Sequence, residues 1–164
     1  MNFEQSIAAF AIGRLLSSDL PNAANQALEE GHDSKELAAL AGSTSAQRSP
    51  RELEDMWMRG LRELRLAVPS RAEAGCILRD YYLQEVASGS CSPRDGAGEI
   101  VGLVNELNDV LPAKQYMGDG LGVANIVGLH YSFDELAFND LHGASELEAE
   151  IKAECLRLLR EHAA

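Results

Sequence analysis

The 164-residue sequence predicts an all-α protein, one compact domain of about six or seven helices. Three observations predict it. Helix-start signals recur along the chain, aromatic residues make up only 5% of it, and Ala, Leu and Glu repeat at helical three-and-four spacing rather than in strand-like alternation. At this length the chain buries a core without needing metal or disulfide support.

The first helix is expected from about Asn2 to Ser17, with Phe3, Ile7, Phe10, Ala11, Leu15 and Leu16 as its apolar side. Ser18-Asp19-Leu20-Pro21 stops it and opens a short helix, Asn22 to Glu30, which Gly31 ends. Asp33-Ser34 caps another through Leu40, so residues 1–42 read as an N-terminal subassembly. Gly42 to Arg48 reads as a flexible linker.

Residues 49–110 are expected to form a three-helix core. Ser49-Pro50-Arg51-Glu52 and Ser92-Pro93-Arg94-Asp95 each place a capping serine before a proline that has no amide to leave unpaired. Between them, Pro69-Ser70-Arg71 opens a middle helix that Gly89 ends. The first of the three aligns Leu53, Met56, Trp57, Gly60, Leu61 and Leu64, and the third aligns Ala97, Ile100, Val101, Val104 and Leu107. Trp57 and Ile100 are therefore expected in one core. The middle helix, from Ala72 to Val86, is apolar over a wider arc and is expected to be the most buried.

Residues 111–144 read as an irregular acidic segment, with a glycine-rich turn at Gly118-Asp119-Gly120-Leu121-Gly122 and a capped turn at Ser132-Phe133-Asp134-Glu135. The turn lacks the preceding strand and the lysine of a phosphate loop, and Asp119 lacks the alternating ligands of a calcium loop. Ser145-Glu146-Leu147-Glu148 is expected to start the last helix, 145–164, which turns Leu147, Ile151, Cys155, Leu158 and Leu159 inward.

The net charge of −12 disfavours direct binding to nucleic acid or an anionic membrane, since the arginines from Arg51 to Arg94 are interleaved with acids. No apolar run is long enough to span a bilayer, and the start lacks a secretory signal, which predicts a soluble cytoplasmic protein. Cys76, Cys91 and Cys155 are odd in number and widely spaced, so no disulfide framework is expected. A thiolate at Cys91, before a helix start, is weighed and set below a plain loop position. The four histidines show no metal-site spacing, and no cofactor is expected. His130 and His142, flanking Asp134 and Asp140, mark the one place to inspect for acid–base or metal chemistry. Charge is segregated elsewhere: from Gln115 to Ile151 there are seven acids and no lysine or arginine. Asp119, Asp134, Glu135 and Asp140 are the candidate contacts for a basic partner, whereas Glu146, Glu148 and Glu150 are assigned to a helix start.

Ala27-Leu28-Glu29-Glu30-Gly31-His32-Asp33-Ser34, Leu61-Arg62-Glu63-Leu64 with Pro69-Ser70-Arg71, and Ser92-Pro93 with Gly96-Ala97 resemble a group of small bacterial helical proteins. The resemblance covers most of the chain and brings no catalytic motif with it. In class, acidic proteins of this size are similar to the immunity proteins that neutralise bacterial toxins. That likeness implies a non-enzymatic, acidic protein-binding module whose partner is a basic toxin domain. The alternatives are a small enzyme with a site near His130 and Asp134, and a self-associating structural or adaptor protein.

Overall fold

The structure, a computed structural model, describes residues 1–43, 47–137 and 140–162. Among them are eight α-helices, three 3₁₀ turns and no strand. The all-α class is as expected, with one helix more than the sequence suggested. Two compact units divide the chain, Met1–Ala74 and Gly75–Ala164.

The first unit begins with α1, Phe3–Ala11, capped by Asn2 and Gln5 reciprocally. Gly13, at φ +80°, ends this helix well short of Ser17, because a left-handed residue cannot continue it. After a 3₁₀ turn at Ser17–Asp19 comes α2, Leu20–Glu29, closed by Gly31 at φ +89°. Next is α3, Lys35–Ala41, where Ser34 Oγ accepts from the Leu37 amide at 3.1 Å and donates to Glu63 Oε2 at 2.7 Å. The last is α4, Pro50–Glu63, opened by the expected Ser49–Glu52 capping box. The expected linker falls partly on residues 44–46, outside the described residues.

Trp57 is fully buried and organises this unit. Phe3 meets its ring nearly edge-on, with centroids 5.5 Å apart, and Phe10 lies at 6.1 Å. Leu37 fills the notch at Gly60, where an added Cβ would stand 2.6 Å from Leu37 Cδ2. Each such large apolar side chain contributes roughly 1.5–3 kcal/mol on burial. The expectation of a shared Trp57–Ile100 core is corrected here: the Trp57 cluster is built from α1 to α4, and Ile100 is buried in the second unit. The apolar stripe of α4 is covered by residues of α1 to α3.

The unit boundary falls within α5, Arg71–Ser88, which Ser70 and Glu73 open and Gly89, at φ +82°, closes. Cys76, Ile77, Tyr81 and Tyr82 are only half-buried, so its wide apolar arc does not make α5 the most buried helix. In α6, Pro93–Glu106, the Ser92 cap and the inward row Ala97, Ile100, Val101 and Val104 are as the spacing predicts, with Leu107 buried just beyond its end. Gly96 makes room for Val86 of α5, and Gly75 for Leu107.

Residues 111–144 are more regular than expected. A 3₁₀ turn at Asp119–Leu121 leads into α7, Ala124–Ser132, and a further 3₁₀ turn covers Phe133–Glu135. Ser132 caps nothing, since its hydroxyl donates to the Gly128 carbonyl within α7. The last helix, α8, runs Leu141–His162 and so starts before Ser145. Asp140 starts it instead, its Oδ1 accepting from the Gly143 amide at 2.9 Å.

Candidate functional site

The four acids singled out in the sequence occupy different situations within the second unit. Asp119 Oδ2 accepts from the amides of Tyr116 at 2.8 Å and Gln115 at 2.9 Å, and these bonds hold its carboxyl below the usual carboxylate range. Asp140 is the cap of α8. Both are therefore engaged in holding backbone. Asp134 and Glu135 are exposed on the 3₁₀ turn after α7 and make no capping bond there. Glu146, Glu148 and Glu150 lie beyond the first turn of α8, so the helix start does not account for them. Glu146 pairs instead with exposed His142 at 3.2 Å.

Lined by α7 and α8 is an open groove of about 980 Å³ that sequence reasoning missed. Asn125, Gly128, Leu129 and Ser132 line it from α7, and Glu150, Ala153, Glu154 and Arg157 from α8, each set at helical i, i+3, i+4, i+7 spacing. Met117, Val127 and Tyr116, with the tyrosine 61% exposed, add apolar and aromatic surface. The polar groups are braced. Arg157 donates to both Glu154 oxygens at 2.7 Å and also to Glu161, while Asn125 Nδ2 donates to Glu154 Oε1 at 3.1 Å. Arg157 first, and Asn125 after it, hold the Glu154 carboxyl below the usual range. The guanidinium of Arg157 is raised in turn by Glu154 and Glu161.

His130 and His142 stand in unlike settings. His130 is half-buried on α7 against Gly98 of α6, its Nδ1 enclosed with no hydrogen-bond partner, whereas His142 is largely exposed on α8. Among the described residues no three His, Cys, Asp or Glu side chains converge as a metal ion would require. Desolvation raises the Cys91 thiol, with Asp95, Glu85 and Glu99 adding to it, so the helix start does not produce a thiolate there. Burial pushes the Cys155 thiol up to about 12. Neither is an activated nucleophile at neutral pH.

No helix among the described residues is long and apolar enough to cross a membrane. No protein-family model, curated protein or solved structure matches the chain. The likeness to small bacterial helical proteins therefore rests on the sequence positions quoted above alone.

Proposed function

We propose that the chain is a non-enzymatic acidic protein-binding module whose second unit receives a partner with a basic surface. An immunity-type inhibitor of a bacterial toxin is the specific form that the class resemblance favours. The observation that carries the reading is the distribution of charge. Residues 1–74 hold eight basic and eleven acidic side chains, a net of −3, whereas residues 75–164 hold six and fifteen, a net of −9. Within the second unit, Gln115 to Ile151 has no lysine or arginine at all. An excess of one sign of charge accelerates encounter with a basic partner and rejects acidic ones, here with Arg94 as the neighbouring cation, its guanidinium carbon 4.9 Å from the Phe133 ring centroid. Asp134 and Glu135 are exposed and belong to no cap, which suits them to contact.

The test is a binding titration against the product of the adjacent gene at two salt concentrations, with circular dichroism as the folding control. Asp134→Lys with Glu135→Lys should slow association on the order of tenfold at low salt and flatten its salt dependence. Asp140 is changed only to Asn, which keeps the α8 cap. Unchanged affinity and on-rate in a folded double variant would remove this surface as the contact.

A further inference from the structure

We infer that the groove lined by α7 and α8 is the contact of a twofold dimer, in which α8 of a second copy lies antiparallel across it and Glu150 of each chain meets Arg160 of the other. Asp134 and Glu135 lie outside the lining, so this contact is separate from the proposed one with a basic partner.

The lining carries two acids, Glu150 and Glu154, and two arginines, Arg157 and Arg160, so its charges cancel. Within a unit of net −9, such a neutral strip lets a second acidic copy approach with little repulsion. Two of the four charges are already matched inside the chain, since Arg157 donates to both Glu154 oxygens and to Glu161. The other two keep bonding capacity. Among the described residues no side chain or amide engages the Glu150 carboxylate, and Arg160 uses only its Nε, toward the Leu156 carbonyl at 3.0 Å.

Spacing then decides what fits. Glu150 and Arg160 stand ten residues apart on one helix, about 15 Å along its axis, with opposite signs at the two ends. A helix of single sign answers only one of them. A helix carrying the same pair in the reverse direction answers both, and α8 of a second copy is such a helix: a twofold axis passing near residue 155 makes the two contacts at once.

The same axis accounts for an uncovered apolar group. Leu156, 41% exposed, stands three residues after Ala153 and four before Arg160, so it borders this face of α8 close to the axis. In the dimer its own symmetry mate covers it. Helices packing about 8–10 Å apart need small positions between them, and exposed Ala153 and Gly128 supply room; a Cβ added at Gly128 would meet nothing within 4 Å.

The test is sedimentation equilibrium of the full chain from micromolar to millimolar concentration, with circular dichroism as the folding control. The parent should show a concentration-dependent monomer–dimer equilibrium. Glu150→Arg and Arg160→Glu each set like charges face to face twice per dimer, so each should weaken association about tenfold or more. Mixed in equal amounts, the two variants should pair with each other about as tightly as the parent does with itself, because each supplies the charge that the other lacks. Leu156→Lys should also weaken the dimer, and it serves where a reversal fails to fold. A parent that stays monomeric throughout overturns the inference, as does a dimer that neither reversal weakens. Weakening by both reversals with no recovery on mixing overturns it as well, since reciprocal contacts must recover.

Discussion

The two units differ in how they use their carboxylates and what they leave exposed. In Met1–Ala74 the acids are drawn into tertiary and capping bonds: Glu63 to Ser34 at 2.7 Å, Glu54 to Ser17 at 2.5 Å, and both Glu30 oxygens to the Phe3 amide at 3.1 Å. Each links segments distant in sequence around the Trp57 cluster. In Gly75–Ala164 the acids are more numerous and several sit on open surface, and among the described residues Val110, Tyr116, Tyr131, Leu141 and Leu156 lie exposed, against Met1, Leu16 and Leu66 in the first unit. The contrast teaches that the first unit spends its polar groups on its own architecture. The second ties its acids mostly into local caps and ion pairs, such as Asp119, Asp140 and Glu154, rather than into bonds between distant segments.

The strongest way to break that contrast is at Trp57. Trp57→Ala should cost about 3–5 kcal/mol, read as a lowered denaturant midpoint, because the side chain is fully buried among aromatic and leucine neighbours. An unchanged midpoint would show that the first unit is not built on it. Next in size is the seam inside the second unit. Gly96→Ala should destabilise by roughly 1–3 kcal/mol despite alanine's better helix propensity, since its Cβ would run into Val86. A stabilised variant would mean that α5 and α6 are not closely packed and that the unit is open throughout.

The smallest effect separates the carboxylates. The Ser34 hydroxyl first, then the Glu36 amide, hold Glu63 below the usual glutamate range. A depressed folded-state value stabilises fully above the ordinary glutamate pKa, and this contribution is lost as pH falls from there through the lowered folded value. Ser34→Ala should cost about 1 kcal/mol at neutral pH as a lost cap, and its stability should then fall less steeply in acid. Denaturant unfolding at stepped pH measures both, and an acid slope identical to the parent's would remove the Ser34–Glu63 bond as a source of pH dependence.

Much of the helical framework was legible because caps are local. The serines at 34, 49, 70 and 92 each act as sequence spacing predicts, and the apolar rows of α4 and α6 are buried. What periodicity does not encode is which row meets which. Nothing in the spacing of Trp57 distinguishes Phe3 and Leu37 from Ile100 as neighbours. Helix α7 escaped notice because Val123 offers no side-chain cap and Gly128 interrupts its pattern. The start of α8 was misplaced because Ser145 carries a plausible signature, while Asp140 makes the actual bond. The groove exists only where α7 and α8 come together, so neither stretch announced it alone.

One consequence follows from where the rarest side chains lie. The sole tryptophan belongs to the first unit, and all three cysteines belong to the second. Trp57 is enclosed, so its emission reports solvent entry into the N-terminal half. Cys155 is buried and protonated at neutral pH, so its alkylation becomes fast only when α8 lifts away or the C-terminal half opens. The unaltered molecule therefore carries an optical reporter in one half and a chemical reporter in the other. Whether its melting is one cooperative event or two can be read without changing a residue.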